Sequence, residues 1–235
     1  MKLKSKPLGK ATMASGNLEG LIYYVEKLII PSTYATLRMA SGTIVIGLTF
    51  GFALAIMLTV YNPNGLEPNK RIYPILNFLV NSVRSFPILI LIVAMSPLTR
   101  WIVGTTIGEM AAIVPLSIAA TAFTARLLEN CFIDVDKQLI EAARSFGANN
   151  MQIIFRVIIR ESIPGIICVI TMTTVTYIAA TTIAGAVGGG GLGAVSLTYG
   201  FQSFNDTVLC MAVFVLFLLV NLTQFAGEKL YESFK

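Results

Sequence analysis

An all-α membrane protein with five transmembrane helices is the fold class that this sequence predicts. Three observations carry the expectation. Apolar residue types make up 55% of the 235 residues and charged types only 12%, where a soluble domain has about 25% charged residues. The mean hydropathy is +0.77. Long uncharged stretches recur along the chain, each sufficient for the roughly 20 residues that cross about 30 Å of hydrocarbon as a helix. This composition excludes a water-soluble globule, a disordered tail and a nucleic-acid binder. With no His in the chain, His-based acid–base catalysis and His metal sites are excluded as well.

In chain order, residues 1–32 read as a basic arm followed by an amphipathic helix. Lys2, Lys4, Lys6 and Lys10 come first, and then Leu18, Leu21, Ile22, Val25, Leu28 and Ile29 recur at helical spacing until Pro31 ends the run. Glu19 and Glu26 interrupt the apolar part and no small-residue cleavage site follows, which argues against a secretion signal. A dozen or so residues cannot span, so this helix is expected to lie on the membrane surface; the alternative is an extension of the first span. The membrane domain then covers 33–230. Between Arg38 and Glu67 lie 28 uncharged residues, which hold span one at about 34–60. Span two, about 72–97, carries only Arg84, and Pro87 is expected to bend it. Span three, about 107–130, has 16 uncharged residues between Glu109 and Arg126. The 44 uncharged residues between Glu161 and Asp206 are broken by Gly188–Gly191 and Gly193. They predict span four at about 163–187 and a Gly-rich loop after it. Span five follows at about 207–227.

The cationic loops set the orientation. The 131–161 loop carries Lys137, Arg144, Arg156 and Arg160, the 61–71 loop carries Lys70 and Arg71, and the C-terminal end adds Lys229 and Lys235. The 188–206 loop has no Lys or Arg. The positive-inside bias makes the 131–161 loop and the C-terminus cytoplasmic, which leaves the N-terminus outside despite its lysines.

Motifs of bond-making chemistry are absent. No G-x-x-x-x-G-K-[ST] phosphate loop occurs. Gly188, Gly190 and Gly193 formally match G-x-G-x-x-G, but a membrane span precedes them where a dinucleotide site needs a strand. Cys131, Cys168 and Cys210 are far apart and read as small buried hydrophobes. Gly47 and Gly51 form a small-xxx-small pair suited to close helix packing.

The 131–161 segment is the most informative. Leu139, Ala142, Ala143 and Phe146 share one face of a short helix, with Asp134 and Asp136 near its N-terminus. Gly147 can take the left-handed conformation that ends such a helix, and Asn149-Asn150 suits the turn. A second helix is expected to place Met151, Ile154, Phe155 and Ile158 on one face. Two amphipathic helices joined by a bend would thus offer apolar knobs to a groove on a partner, or would lie along the membrane as a linker.

These residues resemble a family signature. Glu141-Ala142-Ala143, three residues and Gly147 are similar to the EAA-x-x-x-G loop of ABC-importer permease subunits. The family usually closes this motif with Ile-x-Leu-Pro, where this chain has Val157-Ile158-Ile159-Arg160. Further stretches resemble the methionine-importer branch: VRSFPILILIVAMSPLTRWIVGTTIG, AAIVPLSIAATAFTARLLEN, AGAVGGGGLG, TYGFQSFNDTV and QFAGEKL. The resemblance implies a type I importer permease fold with Glu141, Ala142, Ala143 and Gly147 coupling it to an ATPase, and the apolar-face residues Phe146, Met151 and Ile154 are expected to join that contact. It also implies a second copy of the chain, two ATP-binding subunits, an extracytoplasmic methionine-binding protein and methionine as cargo, all at a bacterial-type inner membrane. On this reading the chain is no enzyme and binds no cofactor itself; ATP is used by its partner.

Polar groups inside spans are costly and call for a role. Arg84 is a pathway candidate, facing the interior of a dimer, or else snorkels to the cytoplasmic surface. Arg126 and Glu129 are spaced to pair on one helix face. Ile183 is a candidate gate with Gly188 beside it, or packs ordinarily. Other readings are an importer for a different amino acid or small polar solute, a secondary transporter, and a membrane scaffold. A secondary transporter would be expected to show mid-membrane carboxylates and repeated helices.

Overall fold

Lipid offers a peptide group no hydrogen-bond partner, so each crossing segment must satisfy its own backbone as a helix. The computed structural model describes residues 18–234, all of which are helix, turn or short connection. Lys2, Lys4, Lys6 and Lys10 lie outside the described residues. Among the described residues, four helices are long and apolar enough to cross a membrane: α1 (Gly20–Tyr61), α5 (Glu109–Ile133), α8 (Ile163–Ala184) and α10 (Asp206–Ser233). The segments α2 (Ile72–Ser85) and α3 (Ile88–Ala94) pass the same test together, as a candidate fifth span broken by a bend of 103°, and are followed by α4 (Ser96–Val103).

Two expectations about the spans need correction here. The segment before Pro31 is not a separate surface helix, because α1 runs through it as a single 42-residue helix. At about 1.5 Å per residue, such a helix is roughly twice as long as the hydrocarbon is thick. Proline is tolerated because a wider turn precedes it: Val25–Ile29 is π-helical, with the Ile30 N–H bonded to the Val25 carbonyl. The looser turn makes room for a ring that would otherwise meet the carbonyl four residues back. Span two is likewise not one helix. Phe86 and Pro87 both adopt extended ψ values, 131° and 135°, because the residue before a proline is pushed out of the helical region. Pro87 bends the span as expected, and by enough to divide it.

The Gly-rich stretch is also more ordered than the loop expected there. Gly188, Gly190 and Gly191 have φ of +93°, +83° and +74°, values that only glycine adopts without strain. They reverse the chain, and α9 (Gly191–Val195) then packs back on the bundle before a π-helical turn at Ser196–Phe201. A Cβ on Gly193 would collide with the Thr182 backbone, so glycine is what allows α9 to lie this close to α8.

The two ends of the bundle are distinguished by their contacts. At one end the Gly108 N–H donates to the Gly188 carbonyl (2.9 Å), Arg38 pairs with Glu109 (3.2 Å), and the Leu192 N–H donates to Thr36 Oγ1 (2.9 Å). At the other end, the 62–71 connection meets the segment between α5 and α8, where Arg144 donates to the Leu66 carbonyl (3.1 Å).

Between the ends, α1 and α5 run parallel in intimate contact. A Cβ on Gly47 would overlap that of Ala120, and one on Gly51 would sit 2.8 Å from Thr124 Cβ. The small-xxx-small pair of α1 therefore faces α5, allowing backbone approach that larger residues forbid. Met39, Leu116, Ala120, Tyr177 and Ala184 form a core at the Gly-rich end, while Ala55, Leu128, Phe132, Ile153 and Val169 form another at the opposite end.

Gly47→Ala should destabilise the protein by about 1–3 kcal/mol through overpacking. Gly42→Ala, whose Cβ would meet only the movable tip of Ile113 at 3.0 Å, should be neutral or stabilising through helix propensity. Thermal unfolding in detergent distinguishes the two; equal shifts would contradict this account of the α1–α5 contact.

Candidate functional site

The segment between α5 and α8 folds as a helical hairpin. Helix α6 (Lys137–Ser145) starts at Asp136, whose carboxylate accepts the Gln138 N–H at 2.9 Å, so one of its free amides is satisfied by an anion where the helix dipole favours it. It ends as the sequence predicts: Gly147 has φ +79°, its N–H donates to the Arg144 carbonyl (2.9 Å) and the Ala148 N–H to the Ala143 carbonyl (3.1 Å). That is a complete Schellman ending. Asn149 opens the second helix, α7 (150–161), with a reciprocal cap: Asn149 Oδ1 accepts the Gln152 N–H (2.8 Å) and Gln152 Oε1 accepts the Asn149 N–H (2.9 Å). With Arg160 where a proline was expected, the chain leaves α7 at Ser162 instead. The Ser162 hydroxyl donates to the Cys131 carbonyl (3.3 Å) and Pro164 starts α8.

Burial divides the hairpin into a base and a tip. Phe146 is 92% exposed and Met151 63% exposed, and Glu141, Ala142 and Gly147 are exposed beside them. Ala143 is half-buried against the base. Ile154 does not belong with the exposed set: it is buried, as are Ile153 and Ile158, and Phe155 faces outward. The expected grouping of Met151, Ile154, Phe155 and Ile158 on one face is therefore corrected. The cause is the register: α7 seats Ile153, Ile154 and Ile158 at the bundle, and a π-turn at Ile154–Ile158 rotates the face that follows.

A polar cluster lies just above the hairpin. Arg126 pairs with Glu129 at 2.6 Å, as the spacing of three predicts, and Glu129 is fully buried. Sequence reading missed the partners. The Tyr73 hydroxyl donates to Glu129 Oε1 (3.2 Å), the Asn62 amide lies at 3.5 Å from the same oxygen, and Arg126 donates to Asn77 and to Asn81 Oδ1, the latter at 3.0 Å. Tyr73, Asn77 and Asn81 are spaced by four, one polar stripe on α2. That stripe, inside an otherwise apolar span, was the available signal.

The pathway candidates are dispersed. Arg84 is exposed in the last turn of α2, directly before the break. Ile183 is 38% exposed near the end of α8. Gly188 serves the chain reversal: its carbonyl accepts the Gly108 N–H, and a Cβ there would lie 3.3 Å from Ile107. A cavity between α3, α4, α5 and this turn, lined by Ile92, Thr99, Ala112 and Gly189, measures about 20 Å³, room for about one water.

Removing the Glu129 carboxylate alone (Glu129→Ala) should cost about 3–5 kcal/mol, since it strands a mostly buried guanidinium. Arg126→Met combined with Glu129→Leu should cost less than Glu129→Ala alone. Thermal unfolding of the variants in detergent checks the order, and a more damaging double replacement would contradict it.

Comparison with known proteins places this geometry. Residues 47–227 match the family described as binding-protein-dependent transport system inner membrane component. The chain is 41% identical over 203 residues to the probable D-methionine transport system permease protein MetI of Vibrio cholerae, covering 86% of this chain and 90% of that one. It is 39% identical over 197 residues to the methionine import system permease protein MetP of Bacillus subtilis, covering 84% and 89%. A chain in an inward-facing structure of the MetNI methionine ABC transporter superposes with a TM-score of 0.86 at 38% identity, covering 88% of this chain and 96% of that one.

Proposed function

The chain belongs to the family of inner membrane components of binding-protein-dependent transport systems, and from that premise we propose that it is the permease subunit of an ATP-driven methionine importer. The observation that carries the coupling is the hairpin: a rigidly capped EAA-x-x-x-G turn whose tip residue, Phe146, is 92% exposed beside a left-handed Gly147. An aromatic side chain presented this way on a fixed scaffold is suited to a groove on another protein, here the ATP-hydrolysing subunit. Glu141, Ala142, Gly147 and Met151 frame Phe146 in that contact, and Ala143 seats the helix. Methionine as cargo is supported by the named substrates of relatives that align over most of the chain.

Two copies of the chain enclose the path. This is supported by five crossings being too few to wall an amino-acid-sized path on their own, and by two-fold symmetry being the commonest closure. Arg84 and Ile183 are assigned to that path and Gly188 to the turn that borders it. The hairpin end is cytoplasmic and the Gly-rich end external, which is supported by Lys137, Arg144, Arg156 and Arg160 at the former. A binding protein delivers substrate at the external end. ATP-driven closure of the two ATPase subunits would draw the paired hairpins together and rock the helices between inward and outward openings.

In proteoliposomes holding this chain, its ATPase subunit and its binding protein, ATP should drive uptake of labelled L-methionine, competed best by unlabelled methionine. Better competition by another solute would overturn the substrate, and no uptake by the assembled components would overturn the importer reading. Glu141→Arg and Gly147→Pro should leave the chain in the membrane and abolish ATP-dependent uptake. Wild-type transport by both would remove the hairpin from the coupling role.

A further inference from the structure

The hairpin is joined covalently to α5 and α8 but not to the broken span, so its motion needs another route to the α2–α3 break. A continuous set of hydrogen bonds supplies one. We propose that the 62–71 connection and the buried Glu129 cluster form a polar relay from the coupling hairpin to the break in the second span, with Glu129 the positioning residue at its centre. The inference rests on the coupling reading of the hairpin given above.

The relay begins with two contacts from the hairpin. Arg144 donates to the Leu66 carbonyl (3.1 Å) and the Asn150 amide donates to Glu67 Oε1 (2.6 Å). Each comes from a different arm, on either side of the Gly147 turn, so the connection senses the hairpin as a unit. The connection is itself stiff. The Gly65 N–H donates to the Asn62 carbonyl (2.8 Å), the Glu67 N–H to the Val60 carbonyl (2.9 Å), and Asn69 Oδ1 caps α2 by accepting the Arg71 and Ile72 N–H groups (2.9 and 3.1 Å). A side chain at Gly65 would collide with the carbonyls of Thr59 and Val60, so this fold-back depends on glycine.

From there the path enters the membrane domain. Glu129 Oε1 accepts from Tyr73 (3.2 Å) and, at the long distance of 3.5 Å, from Asn62, while Oε2 holds Arg126. Arg126 grips Asn77 and Asn81, which are bonded to each other at 3.1 Å. The Ser85 hydroxyl donates to the Asn81 carbonyl (2.8 Å), and Phe86-Pro87 follows. The Glu129 carboxylate is fully buried, so water does not compete for the contacts that meet there and they resist separation. A displacement of the hairpin is therefore passed to α2 as a body, and the extended Phe86-Pro87 pair is where α2 can swing against α3.

The test separates transmission from mere support by reading methionine imported per ATP hydrolysed in the complete reconstituted importer. Asn150→Asp sets two carboxylates against each other at the exposed start of the relay and should lower that ratio about threefold or more, within the range for changes along a coupling network. Adding Glu67→Gln reverses donor and acceptor across the same pair and should restore the ratio to within about twofold of wild type. Glu129→Gln should lower it as Asn150→Asp does; if that variant does not fold, the surface pair decides. A wild-type ratio in Asn150→Asp overturns the relay while leaving the importer reading intact. A double variant as poorly coupled as the single one also overturns it, because the loss would then belong to a contact with the ATPase. Absence of ATP-driven uptake by the wild-type chain would overturn both readings.

Discussion

The approach of α1 to α5 without intervening side chains is the constraint on which the rest of the architecture depends. In lipid the hydrophobic effect does not draw helices together, so association relies on dispersion contacts and on polar pairs that bring backbones near. Gly47 and Gly51 remove the obstacle on α1, and Ala120 and Thr124 answer from α5. Once these two helices lie parallel and close, the other segments have a surface to close on. α8 reaches α5 through Thr124 and Thr173 (3.4 Å). The two half-helices of the second span lie along α5 on its other flank, with Val80 and Leu91 buried.

The hairpin end of the same helix pair carries a buried polar cluster. A buried carboxylate in a membrane domain is costly unless its charge and its lone pairs are met. Glu129 is met by a guanidinium, a phenol and an amide from three segments of the chain. The same contacts place the 62–71 connection beneath the broken span and beside the hairpin. Placement of the hairpin and stabilisation of a buried charge are thus consequences of one cluster.

Much of this was legible in the amino-acid order because its physical causes are local. The charge gaps locate the crossing segments since the cost of a charge in hydrocarbon applies at each position separately. Asp136, Gly147 and Asn149 delimit the hairpin helices because caps and left-handed turns are settled within four or five residues. The Arg126–Glu129 pair follows from helix geometry alone. Whether α1 continues through Pro31 stayed open between a surface helix and an extension of the first span, because the π-turn that settles it for the extension depends on what packs beside it. The depth of Ile154 was not legible, since an amphipathic pattern does not say which of two apolar edges meets the bundle.

By itself, then, the sequence determined the solvent this protein folds in, the number of segments that can cross it, and the local form of the hairpin. Tertiary structure alone decided that Asn62 and Tyr73 meet Glu129 while Asn77 and Asn81 meet its partner Arg126, and that glycines at 188, 190 and 191 fold α9 back onto the bundle. The polar residues lie up to 67 positions from their partners. Their meeting is set by how closely α1 and α5 approach and by the direction in which a broken helix leaves its bend. Both are properties of packed surfaces in three dimensions, which no periodicity along the chain records.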